Sequence, residues 1–325
     1  MIPPDLPAEL KAALNAKLEG LSRGDVAARA AVISKTYREG GTSGAIRSET
    51  DALAYALARM PATYAAATAC LNALSEARPD FAPQTLLDAG AGPGTASWAA
   101  GQAFPSLASF TLLDANHALR ALGLDLVRDS PRVREVSYKL GEARDALAKT
   151  DAADLVIASY LIGELGEAER RSLAEAMWEK TRDTLLVVEP GTPVGYARIL
   201  ALRAHLTAAG AHVAAACPHE RTCPLIPPDW CHFSQRLARS RAHKQIKGAD
   251  VPFEDERFSY VALTRTPVAR HFSRVLAQPV VGKAGISAKL CTTDGLAIAK
   301  VPRRDKQTYA QARHWRWGDT TMGKS

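Results

Sequence analysis

Apolar residues recur at three- and four-residue spacing over 6–21, 26–39 and 49–76, which predicts three helices at the start of the chain. GGTSG at 40–44 separates the second from the third, and Arg78-Pro79 and Ala82-Pro83 close the helical section. From residue 84 the pattern changes. Short apolar runs at 85–89, 108–114, 133–139, 153–159 and 183–189 predict strands, with helical stretches at 94–103, 116–127, 141–149, 166–181 and 194–209 between them. Further strands are expected near 211–216 and over 257–265, and short β segments over 274–301. This alternation implies a parallel, doubly wound α/β sheet covered on both faces. The expected organisation is a helical region at 1–80, an α/β domain at 81–265 carrying an insertion at 217–250, and a basic β extension and tail at 266–325. Packing is the expected role of the first helices.

Doubly wound sheets bind ligands at the carboxyl ends of their strands, which singles out TLLDAGAGPGT at 85–95. A strand ends in Asp88, and Gly90, Gly92 and Gly94 then let the backbone turn tightly before Thr95 opens a helix. The third glycine comes one residue too early for a dinucleotide loop, and Pro93 lacks the amide that a phosphate cradle needs. S-adenosylmethionine is the better fit. Asp114 ends the second strand, where an acid accepts both ribose hydroxyls of an adenosine. ADLVIASYLIGEL places Ser159, Tyr160 and Glu164 beyond the fourth strand, and Glu189-Pro190-Gly191 lies beyond the fifth. The candidate cofactor residues are Asp88, Gly90, Gly92, Gly94, Thr95, Asp114, Ser159 and Glu164. An ordinary strand-to-helix turn and a helix N-cap are the plainer readings of the glycines and of Asp114.

Composition narrows the setting. Hydrophobic residues make up 47% of the 325-residue chain and charged residues 23%, and no run of 18 uncharged apolar residues occurs, so no transmembrane helix is expected. MIPPDLPAEL reads as neither a signal peptide nor a transit sequence, so a reducing compartment is expected. The net charge of +7 is unevenly spread, because residues 236–325 hold 18 Lys and Arg against 7 Asp and Glu. A basic third on a slightly acidic body points to a polyanion, and nucleic acid is the natural partner.

The cysteines add a second signal. Cys70 lies alone among the first helices, whereas Cys217, Cys223 and Cys231 cluster in AACPHERTCPLIPPDWCHF and Cys291 follows far downstream. Without secretion a disulfide framework is not expected. Four thiolates suit zinc or an iron–sulfur cluster, but the spacing lacks paired CxxC knuckles and matches neither ferredoxin pattern. Spacing alone leaves zinc, a cluster and unrelated thiols all open, with His219 and His232 beside the group.

Two stretches carry the basic character. RLARSRAHKQIK at 236–247 reads as a basic helix or loop with Arg236, Arg239, Arg241, Lys244 and Lys247. KVPRRDKQTYAQARHWRWGDT near the end brings Arg303, Arg304, Lys306, Arg313 and Arg316 together with Trp315 and Trp317. Cations neutralise phosphates and aromatic faces stack on unpaired bases; packing of the tail onto the domain is the alternative for the two tryptophans.

Taken in order, LLDAGAGPGT, LLDAN, ASYLIGEL, VVEPGTPVG, CPHERTCPL, DWCHF and FSYVALTR resemble the methyltransferase-like assembly factors of the small ribosomal subunit, found in mitochondria and bacteria and once classed as mitochondrial small-subunit ribosomal proteins. The resemblance runs from about 30 to 320. The cysteine segment and the tail YAQARHWRWGD are its most specific parts. It implies a seven-stranded S-adenosylmethionine-dependent methyltransferase (Rossmann-like) fold, with an N-terminal helical part and a C-terminal β extension carrying a four-cysteine metal site. It further implies a 4Fe-4S cluster on Cys217, Cys223, Cys231 and Cys291, and binding to small-subunit rRNA in the assembling small ribosomal subunit. A monomer away from membranes is expected. The missing mitochondrial presequence leads to the expectation of a bacterial cytoplasmic member. Two other functions stay open: an active rRNA methyltransferase, although ASYLIGEL stands where an NPPY-type clamp would be, and a small-molecule methyltransferase with a zinc site.

Overall fold

The computed structural model describes residues 1–322 apart from residues 129, 270 and 271. Three helices come first: α1 (Ala8–Leu18), α2 (Arg23–Arg38) and α3 (Glu49–Ala77). A capping box starts α3, with Ser48 Oγ accepting from the Asp51 amide and the Asp51 carboxylate accepting from the Ser48 amide. The helix is rich in alanine and buried almost all round, from Ala52 to Leu74, as expected of a helix enclosed by the protein. It lies across one face of the main sheet, and its side chains join Leu86, Trp98, Phe110 and Leu112 in one continuous core. The first helices therefore close a face of the sheet.

The main sheet is built from β1 (Thr85–Ala89), α4 (Thr95–Ala103), β2 (Ser109–Asp114), α5 (His117–Val127), β3 (Val136–Leu140), α6 (Ala143–Ala148), β4 (Ala153–Ser159), α7 (Glu167–Glu179), β5 (Thr181–Pro190), α8 (Pro193–Ala208), β6 (His212–Ala215), β7 (Phe233–Ala238), α9 (Arg241–Lys247) and β8 (Phe253–Thr264). The strand order is β3-β2-β1-β4-β5-β8-β6, with β7 also beside β8. The first five strands run parallel, whereas β6, β7 and β8 pair antiparallel. This is a Rossmann-like arrangement, a parallel sheet with an antiparallel edge. The central strands are buried on both faces and so read as unbroken apolar runs.

Among the described residues the main sheet holds eight strands instead of seven. The registers explain the difference. His212 to Ala215 pairs with Thr264 to Ala262, and Phe233 to Ala238 pairs with Phe258 to Phe253, on the same edge of β8 and in the same direction. β6 and β7 are thus two collinear pieces of one edge strand, and residues 216–232 leave the sheet where it breaks. The basic stretch at 236–247, expected as a helix or loop, is the end of β7 followed by the short α9.

The rest of the chain forms a second, antiparallel sheet from β9 (Phe272–Val275), β10 (Val280–Val281), β11 (Gly285–Thr292), β12 (Gly295–Pro302) and β13 (Thr320–Met322), with α10 (Lys306–Ala312) before the last strand. It docks beside the broken edge strand. Arg274 of β9 donates to the Ala216 carbonyl at 3.1 Å, and the tail's Trp317 ring meets His232 edge-on at 4.6 Å between centroids.

Candidate functional site

Beyond β1, Gly90, Gly92 and Gly94 all take positive φ, at 68°, 55° and 83°. Side chains strain there, and a Cβ on Gly90 would stand 2.7 Å from Leu161 Cδ1. The turn is pinned from two sides. Asp114 at the end of β2 accepts from the Gly92 amide at 2.8 Å and from the Asn116 amide at 2.8 Å, and the Tyr138 hydroxyl donates to the Gly92 carbonyl. Asp88 works from beneath. It is 1% exposed, and one of its oxygens accepts from the Ser97 amide and hydroxyl of α4. Its other oxygen is buried with no hydrogen-bond partner among the described residues. Burial pushes its carboxyl up to about 7, against the pull of the Ser97 hydrogen bonds.

Around this turn the structure gathers Thr95 at the start of α4, Ser159 at the end of β4, and Glu164 just beyond. It adds residues that the strand pattern did not single out. Asn116 caps α5 through its carbonyl, and its amide donates to the Ser43 and Ile46 carbonyls, both at 2.9 Å. The Ser43 amide in turn donates to Glu164 at 3.3 Å. Residues 43–46 are thereby strapped across the carboxyl ends of β2 and β4. Desolvation pushes the Glu164 carboxyl up to about 7. Tyr160 sits at a φ of 60°, its hydroxyl donating to Glu256 at 2.9 Å, and Arg59 of α3 stands 3.4 Å from the same carboxylate. Glu189 is fully buried, paired with Arg198 at 3.2 Å and accepting from the Gly163 amide. It therefore anchors the turn after β4 from below.

The second constellation lies in the break of the edge strand. Cys217, Cys223 and Cys231 from the excursion and Cys291 from β11 line one cavity of about 40 Å³. Tyr196 of α8 donates to Cys223 Sγ at 3.1 Å, Cys291 Sγ lies 3.5 Å from His219 Nε2, and Ser259 of β8 donates to the Cys231 carbonyl at 2.8 Å. All four cysteines are free thiols. Burial raises the Cys217 and Cys231 thiols and carries Cys291 up to about 12, with the neighbouring cysteines adding to each shift. Two buried cations, Arg203 of α8 and Arg274 of β9, reach the same cavity. Among the described residues no three His, Cys, Asp or Glu side chains converge tightly enough to form a metal-ion site. The four thiols therefore share a chamber without forming the close four-cysteine site that the sequence suggested. Arg203 was legible on the apolar face of α8, seven residues after Tyr196; nothing in the short run around Arg274 marks it.

The basic residues divide into two groups. Arg236 forms a two-point pair with Asp255 at 2.8 Å and covers the Phe253 ring, while Arg239 and Lys247 both engage Glu254. Arg241 is exposed and Lys244 half-buried on α9. In the tail Arg303, Arg304, Lys306, Arg313 and Arg316 are all exposed. Trp315 and Trp317 are half-buried. Trp315 packs on the second sheet, and Trp317 packs against the main core, its ring edge on His232, which stacks on Trp230. Both rings are thus engaged in holding the tail.

Comparison with known proteins adds family membership. The family model described as mitochondrial small ribosomal subunit Rsm22 matches residues 49–322. The chain is similar to the human ribosome assembly protein METTL17, mitochondrial, at 29% identity over 291 residues, covering 82% of this chain and 61% of that protein. It is also similar to the Rsm22-cox11 tandem protein 2, mitochondrial, of Schizosaccharomyces pombe, at 26% identity over 320 residues, covering 82% of this chain and 42% of that protein. The chain thus spans about half the length of these relatives. Among solved structures, a magnesium protoporphyrin IX methyltransferase from Synechocystis with bound SAM aligns at 11% identity with a TM-score of 0.41, covering 73% of this chain and 97% of that one. A precorrin-6y methyltransferase from Geobacter metallireducens aligns at 15% identity with a TM-score of 0.40, covering 59% and 85%. The expected bacterial cytoplasmic location is overturned, since the matched family and both relatives are described as mitochondrial. With a family model that matches most of its length, the chain belongs to the Rsm22 family of the mitochondrial small ribosomal subunit.

Proposed function

We propose that this chain assists assembly of the small ribosomal subunit by binding its rRNA as a monomer, with S-adenosylmethionine at the strand ends and a 4Fe-4S cluster in the thiol chamber. The observation that carries the reading is the group of exposed cations in the tail, Arg303, Arg304, Lys306, Arg313 and Arg316, mounted on a sheet that docks at the thiol chamber. The name of the human relative, a ribosome assembly protein, supports the same reading.

The residues present fit both groups. At the strand ends, Asp114 with the glycine turn offers an acceptor for ribose hydroxyls and a backbone close enough to lie against a nucleoside. In the chamber, four thiols come from segments far apart in the chain, and two buried arginines stand with them. Four free thiols on one chamber supply the donor set that an iron–sulfur cluster takes. Such a cluster supplies a covalent staple between the excursion and the second sheet. The chain's own residues then hold the tail in place: Arg274 ties β9 to Ala216, and Trp317 packs on His232.

Catalysis is not required by this reading. Tyr160, beyond β4, has its hydroxyl engaged by Glu256 with Arg59 alongside. A titration of binding to small-subunit rRNA against salt tests the proposal. Affinity should fall steeply as salt rises, because each phosphate contact releases counterions. Binding indifferent to salt, or no binding, contradicts it.

A further inference from the structure

Arg203 and Arg274 are each 3% exposed and reach into the thiol chamber, yet among the described residues no Asp or Glu lines it. Arg203 donates to the carbonyls of His219 and Arg221 at 2.8 and 2.9 Å, and its Nε is buried with no hydrogen-bond partner among the described residues. Arg274 donates to the carbonyls of Ala216 and Gly318 at 3.1 and 2.7 Å, and its guanidinium stands 5.1 Å from the Phe272 ring centre. Among the described residues neither forms an ion pair with a carboxylate. Two guanidiniums buried this deeply without a compensating anion are costly. Carbonyl oxygens take part of their hydrogens and leave their charge in place. An anion held in the chamber would offset both charges.

Resting on the cluster reading above, we infer that Arg203 and Arg274 are the built-in counter-cations of the iron–sulfur cluster. A four-thiolate cluster in its oxidised state carries about two net negative charges, and charge and hydrogen bonding around the sulfurs set its reduction potential. Two arginines neutralise that charge, and Tyr196 adds a hydrogen bond to Cys223. One-electron reduction by an external reductant such as dithionite adds one more negative charge to the cluster. The two cations favour that reduced state and oppose loss of iron.

The experiment uses the full chain, reconstituted anaerobically with ferrous iron and sulfide. It follows bound iron, cluster loss to a chelator and the midpoint potential for the wild type, Arg203→Gln, Arg274→Gln, Arg203→Lys and Arg274→Lys. Glutamine keeps a hydrogen-bond donor and removes the charge; lysine keeps the charge. Each glutamine variant should lower the reduction equilibrium constant about tenfold, a shift of about 59 mV to more negative potential, and should lose iron several-fold faster. The lysine variants should stay near the wild type. Glutamine variants with wild-type potential and retention overturn the inference. If they hold no cluster at all, lysine variants that keep it support the charge role, and lysine variants that fail equally overturn it. A wild-type chain that takes up no iron overturns the cluster reading itself, and the inference with it, before any variant is compared.

Discussion

The strand-end turn and the thiol chamber are built on opposite principles. The turn is almost entirely local. Eleven consecutive residues at 85–95 supply its strand, its three left-handed glycines and its helix start, and Asp114 locks it from the end of the neighbouring strand. The chamber is assembled across distance. Its thiols come from an interruption of one edge strand and from a second sheet, and its cations come from α8 and β9. A local site survives removal of most single side chains, because the backbone itself makes it. An assembled site depends on every partner, and its loss should loosen the tail that bears the exposed cations.

The largest expected effect follows on the chamber side. Cys223→Ser should lose most of the bound iron and lower the melting temperature by about 5–10 °C, since metal-binding free energy is also folding free energy. Iron analysis and calorimetry check this, and a variant that keeps both its iron and its melting temperature would remove Cys223 from the ligand set. The matching change on the local side is Gly90→Ala. A Cβ at a φ of 68°, 2.7 Å from Leu161, should cost about 1–2 kcal/mol of stability and weaken S-adenosylmethionine binding while leaving iron content unchanged. Loss of iron in that variant would break the separation between the two regions. Asp114→Ala should weaken S-adenosylmethionine about tenfold by calorimetric titration and leave rRNA affinity intact.

A smaller effect separates the two groups of cations. Replacing both Arg303 and Arg304 with alanine should reduce the salt slope of rRNA binding by about two. Arg236→Ala should change it little, because Asp255 already neutralises that guanidinium. Equal effects from both would contradict the division. A last effect concerns pH. Asp88 titrates near 3.8 when unfolded and at about 7 when folded. The folded state therefore binds the extra proton between those values, and the Asp88 contribution to stability falls as pH rises through them. Asp88→Asn should flatten that fall in melting temperature between about pH 4 and 7; an unchanged profile would show that Asp88 is not its source.

What the sequence makes legible follows the same divide. The alternation of apolar runs locates β1 to β5 and their helices to within a few residues, because buried parallel strands and amphipathic helices write their periods into the chain. The glycine turn is legible for the same local reason. β7 is not, because Arg236 on the strand and the cations beyond it mask the apolar face of Phe233 and Leu237. Nor is the strap made by Ser43, Asn116 and Glu164, which joins residues 73 and 121 positions apart. The four cysteines are visible as a set, but Arg274 beside them becomes meaningful only once the second sheet is folded against the first.

The most direct test of the account is to recover the protein from its native host under anaerobic conditions and sequence the RNA that accompanies it. Enrichment of small-subunit rRNA, unprocessed precursor above all, is the predicted result. A preparation carrying iron but free of small-subunit rRNA would contradict the assembly role and leave the basic tail as a solvated surface.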